Sequence, residues 1–148
     1  MNLLKPISSI MTKEVLTLAP TATMMEVKHL FEKKNIHHIP ILNGEALVGI
    51  ISKSDFLFFI HGYETSLYEK LKDNIRLTSY TTDKVMIKDI AKLESTDTIR
   101  AALEVFKINI LHALPIVDEG KLVGILTTHD IIKALAEESI SLEDYEET

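Results

Sequence analysis

IPILNGEALVGIISKSDF, residues 39–56, is answered 75 positions later by LPIVDEGKLVGILTTHDI, residues 114–131. The same offset carries Met11 to Met86, Leu18 to Leu93, Thr21 to Thr96, Phe31 to Phe106, His37 to His112 and Asp55 to Asp130. One offset held over so many positions marks an internal duplication, in which each copy is a supersecondary unit that needs the other to bury its apolar face.

Working outward, each copy reads in the same order. A short β run opens it, Val15 to Leu18 in the first and Ile90 to Leu93 in the second. A helix follows, because Met24, Val27, Leu30 and Phe31 fall at helical spacing, as do Ile99, Ala102, Leu103, Phe106 and Ile110. Thr21 and Thr96 are the expected N-caps. Two β runs come next, joined by Asn43-Gly44 in copy one and by Asp118-Glu119-Gly120 in copy two. The displaced glycine predicts hairpins of different turn type. A closing helix begins after Ser52 and again after Thr127. The expected fold is therefore α/β (α+β), two β-α-β-β-α repeats packed about a pseudo-twofold axis. Repeat one is expected over 6–60, an insert over 61–83, repeat two over 84–136 and an acidic tail over 137–148. Within the insert, 65–75 reads as a further helix carrying Leu67, Leu71 and Ile75 on one side.

Composition bounds the function. The chain has 148 residues, a formal net charge of -6 and no cysteine. Six of its 22 acids follow Lys133 with no basic residue among them, which leaves 16 acids against 16 Lys and Arg in the body. A body so nearly neutral has no basic footprint for a phosphate backbone, so no nucleic-acid partner is expected. The densest apolar run, Phe56 to Ile60, is far short of the roughly 20 residues a membrane span needs. The first residues lack the pattern of a secretory signal, and the lack of cysteine agrees with a reducing compartment; a cytoplasmic location is the expectation.

Gly49-Ile50-Ile51-Ser52-Lys53-Ser54-Asp55 and Gly124-Ile125-Leu126-Thr127-Thr128-His129-Asp130 each stand where a strand becomes a helix. A helix start offers unpaired N–H groups and the positive end of the helix dipole, both suited to phosphate. The Ser52 or Thr127 hydroxyl can add a hydrogen bond, Asp55 or Asp130 can accept from both hydroxyls of a ribose, and Lys53 or His129 can face the phosphate. The same Ser/Thr-x-x-Asp spacing is also that of a capping box, which needs no ligand.

Both repeats resemble CBS domains, the modules named after cystathionine β-synthase, and the pair resembles a tandem CBS module from about Pro6 to about Ala136. The resemblance implies adenosine-nucleotide sites in clefts between the repeats, with ribose on Asp55 and Asp130 and phosphate on Ser52 and Thr127. It further implies a base pocket formed by backbone around His37-His38-Ile39 and His112-Ala113-Leu114, together with Thr17 and Lys92. The implied ligand is regulatory, AMP, ADP, ATP or S-adenosylmethionine, with no cofactor required. The implied partners are a second copy, in a homodimer to which Phe56, Phe58 and Phe59 contribute, and an effector protein. The alternative is a ligand-free structural or dimerisation module. His29, His37, His38, His61, His112 and His129 show no tight metal-ligand spacing, so no metal site is expected. Without an activated nucleophile or a paired-carboxylate arrangement, neither is an enzyme.

Overall fold

The computed structural model describes residues 1–61, 67–108 and 111–138. After a 3₁₀ turn at Ile7–Ser9, copy one supplies α1 (Met24–Lys33), β1 (His38–Asn43), β2 (Ala46–Ser52) and α2 (Lys53–His61). Then come α3 (Leu67–Ser79) and α4 (Thr82–Val85), followed by α5 (Ile99–Ile108), β3 (Ala113–Asp118), β4 (Lys121–Thr127) and α6 (Thr128–Ala136) of copy two. Each copy holds one two-stranded antiparallel sheet. Their registers match residue for residue, His38 facing Ser52 and Ala113 facing Thr127, with an irregularity after Ile41 and after Ile116.

The opening β runs shrink to one parallel bridge each, Leu18 to Ile41 and Leu93 to Ile116. The cause lies in missing donors. Leu18 N–H donates to Pro40 O (3.2 Å) and Leu42 N–H to Leu18 O (2.9 Å); Leu93 repeats this with Pro115 O (3.2 Å) and Val117 N–H (2.8 Å). Extending either ladder backwards would need an N–H on Pro40 or Pro115, and neither has one. Extending forwards fails as well: Pro20 has no donor, and Ser95 N–H is taken by Asp118 Oδ1 at 2.8 Å.

The helix caps also move. Thr23, not Thr21, caps α1, in a box where Glu26 N–H donates to Thr23 Oγ1 (3.3 Å) and Thr23 N–H to Glu26 Oε2 (2.7 Å). At α5 the Thr98 hydroxyl oxygen, not that of Thr96, accepts from Ala101 N–H at 3.2 Å. A reciprocal Thr-x-x-Glu pair satisfies two first-turn donors, which Thr21 with Met24 three places on cannot do. The turns differ as expected: only Gly44 has positive φ (63°) in the first hairpin, whereas Glu119 (48°) and Gly120 (80°) both do in the second.

Each copy has its own core, one around Met24, Val27, Phe31, Ile39, Ile41 and Ile51, the other around Ile7, Ala102, Leu114, Ile116 and Leu126. A third cluster, Ile50, Ala113 and Ile125 with Val15 and Ile90, lies at the seam between them. Ile7 shows that the chain before copy one is docked on copy two. Thr82, its counterpart at the repeat offset, is docked on copy one, fully buried, with its hydroxyl donating to Ala19 O at 2.7 Å. The segment between the copies, expected over 61–83, holds a further helix, α3. That helix runs from Leu67 to Ser79 and buries Leu77, while Ile75 stays exposed; residues 65–66 and the side chains of Leu67 and Leu71 lie outside the described residues. Phe56 and Phe59 turn inward: Phe56 meets Phe31 at 5.7 Å between ring centroids, and Phe59 meets Tyr80 at 5.4 Å under the Arg76 guanidinium. Of the three phenylalanines, only Phe58 is displayed, at 78% exposure. Ile110 and the tail beyond Glu138 fall outside the described residues.

The exchanged lead-ins dock at the repeated glycines. A Cβ on Gly124 would lie 2.7 Å from Met11 Sδ and 3.0 Å from Thr12 O, and one on Gly49 would overlap Met86. The offset pairs Met11–Met86 and Gly49–Gly124 are thus two halves of one contact. Gly124→Ala and Gly49→Ala should each cost about 1–3 kcal/mol through overpacking, which a chemical or thermal melt would register as a fall of several degrees. An unchanged melting temperature in both would mean that these crossings do not hold the copies together.

Candidate functional site

Ser52 and Thr127 end their strands and begin their helices, and each builds a closed corner. Ser52 N–H and Oγ–H both donate to Asp55 Oδ2, at 2.9 and 2.5 Å, and Asp55 N–H donates back to Ser52 Oγ at 3.0 Å. Thr127 does the same with Asp130, at 2.7, 2.6 and 3.2 Å. The helix starts are further tied to the residue before each hairpin, through Lys53 N–H to His37 O (2.8 Å) and Thr128 N–H to His112 O (3.2 Å). The capping geometry is therefore realised in both copies. It leaves a phosphate fewer unpaired first-turn donors than an uncapped helix would.

Both corners open into a cavity of about 1010 Å³ that crosses the seam. That size is at the upper end for small-molecule sites, roughly 300–1,000 Å³. His37, His38, Ser52, Lys53 and Asp55 line it from copy one, and His112, Ala113, Thr127, His129 and Asp130 from copy two. Ile39 and Leu114 are fully buried in their own cores and give no surface to it. Thr17 and Lys92 are also absent from the lining, where Leu16 and Ala91 stand instead.

Sequence reasoning passed over Thr12, Glu14, Ile87 and Asp89, which enter the lining because the lead-ins cross the seam. Thr12 pairs with Ile125 on β4, and Ile87 with Ile50 on β2. The signal was available in the 75-residue offset, which sets Thr12 against Ile87 directly after the conserved-in-repeat Met11 and Met86.

The lining carries four carboxylates, Glu14, Asp55, Asp89 and Asp130, against Lys53 as its one lysine, and no arginine. Four histidines make up the rest of its ionisable groups. Burial holds the His38 imidazole below its ordinary value of 6.5; His37 and His112 push the same way, while Asp55 pulls against them. Partial burial and histidine neighbours that would repel its charge thus disfavour the protonated form of His38. Among the described residues no group of three or more His, Asp or Glu side chains is arranged to hold a metal ion. No helix among them is long and apolar enough to cross a membrane.

The chain is similar to an uncharacterised protein of Methanocaldococcus jannaschii, 26% identical over 132 residues that make up 88% of this chain and 47% of that one. It spans less than half the length of that protein and of other curated relatives it matches. Among solved structures, CBSX2 of Arabidopsis thaliana in complex with AMP superposes with a TM-score of 0.74 at 21% identity, covering 89% of this chain and 97% of that one. The CBS domain pair of protein MJ0100, in complex with 5'-methylthioadenosine and S-adenosyl-L-methionine, gives 0.69 at 22% identity, covering 88% and 95%. The CBS domain profile matches residues 7–62 and 83–137. With two such matches over most of its length and the duplicated fold just described, this chain belongs to the CBS domain family as a tandem pair.

Proposed function

We propose that the seam cavity binds an adenosine compound and that its occupancy is read by another protein, the chain itself performing no catalysis. The observation that carries this reading is the convergence of both Ser/Thr-x-x-Asp corners on one large cavity; two solved pairs of the same fold, described as complexes with AMP and with methylthioadenosine and S-adenosylmethionine, support it. In this reading a carboxylate oxygen of Asp55 or Asp130 takes the ribose hydroxyls. The base lies against the walls at His37-His38 and His112-Ala113 and against the apolar side chains of Leu16 and Ala91. Lys53, His129 and the Ser52 or Thr127 hydroxyl serve the phosphate, the hydroxyl by exchanging its bond to the aspartate. A ligand bridging both copies changes their packing and so the outer surface.

The charge of the cavity refines the ligand. Four carboxylates repel a triphosphate more than a monophosphate or a sulfonium, so AMP and S-adenosylmethionine fit better than free ATP. For assembly, Phe58 and Leu57 on α2 and Ile132 and Leu135 on α6 are exposed apolar residues on the two closing helices. They form the face we assign to a homodimer. The cytoplasm suits a nucleotide sensor without cysteines. The second reading, an empty structural module, is favoured by caps that are complete without any ligand.

Melting the purified protein with AMP, S-adenosylmethionine and ATP separates the two. A true site held at a hundred times its Kd adds about 2.7 kcal/mol of stability, a shift of several degrees that grows with ligand concentration and is smaller for ATP without magnesium. Asp55→Asn combined with Asp130→Asn should remove the shift; an empty module would show none in the wild type.

His38 makes the free protein acid-sensitive. Its folded pKa lies below 6.5, so the unfolded chain binds more protons in between, and stability falls as pH drops from about 6.5 towards the lower folded value. The negative charge of an AMP phosphate elsewhere in the same cavity favours the protonated form of His38 and offsets part of the loss. Melting curves from pH 7.5 to 5.5 should therefore steepen below 6.5 without AMP, flatten with it, and flatten in His38→Asn. Identical slopes in all three would remove His38 from the account.

A further inference from the structure

The two corners of the cavity are not equivalent, and the difference is one side chain. Each exchanged lead-in lays a residue on the strand that ends in a corner: Thr12 on β4, which leads to Asp130, and Ile87 on β2, which leads to Asp55. Their backbones are held alike. Thr12 and Ile125 exchange two bonds of 2.9 Å, while Ile87 and Ile50 exchange bonds of 2.9 and 3.0 Å. What differs is chemistry. The Thr12 hydroxyl donates to Asp130 Oδ1 at 3.1 Å, and Thr127 already occupies Oδ2, so both oxygens of Asp130 have protein partners. Asp55 Oδ2 is held by Ser52 in the same way, but the isoleucine beside it has nothing to donate. Asp55 Oδ1 accepts no hydrogen bond among the described residues.

We infer that the cavity has one primary ribose subsite, at Asp55, and that Thr12 stands in for a ligand hydroxyl at Asp130. The inference rests on the adenosine reading above. A sugar hydroxyl reaching Asp55 meets an open carboxylate oxygen, whereas one reaching Asp130 must first displace Thr12. Giving up one such hydrogen bond weakens binding by up to about tenfold. One neighbouring residue acts in the same direction, although His129 stands at the Asp130 corner. Lys53 follows Ser52, while the equivalent Thr128 follows Thr127, so the lining's lysine stands at the Asp55 corner. Thr12 and Ile87 are thus specificity-determining residues that set how many ligands one chain takes.

Calorimetric titration with AMP, and with S-adenosylmethionine in parallel, tests this on the full chain. The wild type should take one tight equivalent. Thr12→Val should add a second of comparable affinity, and Ile87→Thr should weaken the first by roughly five- to tenfold. Asp55→Asn should weaken it at least tenfold. Both swapped positions keep their backbone pairing, and a cooperative melt for each variant confirms that it is folded. Two equal sites in the wild type, or a stoichiometry that stays at one in Thr12→Val, would overturn the inference and leave the adenosine reading intact. If neither AMP nor S-adenosylmethionine binds the wild type or any variant, the adenosine reading itself falls, and this inference with it.

Discussion

Everything in this protein hangs on a pair of crossings in which each repeat's lead-in is docked on the other repeat. Met11 sits over Gly124 and Met86 over Gly49, and each lead-in then returns to pair one residue with its own copy, Leu18 with Ile41 and Leu93 with Ile116. A two-stranded sheet is marginal alone, so neither copy has a reason to persist without this exchange. Ile7, fully buried in the core of copy two, and Thr82, fully buried in that of copy one, show how deep it reaches. The same crossings hold the seam open as a cavity, because they bring β2 and β4 side by side and point both helix starts toward it.

The duplicated hairpins, the closing helices and the two corners were legible because each rests on local rules: alternation, a turn glycine, a cap spacing. What escaped depends on partners distant in sequence. The opening strands looked sound by composition, yet Pro40 and Pro115 sit where the ladder needs donors, and only the pairing partner reveals that. Thr21 and Thr96 matched the repeat offset, but the reciprocal bond from Glu26 makes Thr23 the better cap. Phe56, Phe58 and Phe59 read as one aromatic patch, and helix geometry sends two of the three inward. At the site, the lead-ins line the cavity with Glu14 to Leu16 and Asp89 to Ala91, and Thr17 and Lys92 lie just beyond those stretches. Thr12 and Ile87 match at the repeat offset, but only the exchange places them beside the cavity.

The corners illustrate why a capping motif and a ligand motif are hard to tell apart. Both need a hydroxyl and a carboxylate three residues apart at a helix start, and here the cap is complete in each copy. What adds function to the cap is the space beyond it and the groups that share that space. The lining combines four carboxylates with one lysine and four histidines, and under the proposed reading that charge favours a ligand of low negative charge. The repeat supplied two similar corners, and unlike substitutions at equivalent positions have made them different.

The most direct test of the account is a crystal structure grown with AMP. The account predicts the adenosine group in the seam between β2 and β4, with a ribose oxygen within hydrogen-bonding distance of Asp55 and the Met11 and Met86 crossings unchanged. A seam packed shut by Val15, Ile90 and their neighbours, with AMP absent or bound on the outer surface, would contradict it.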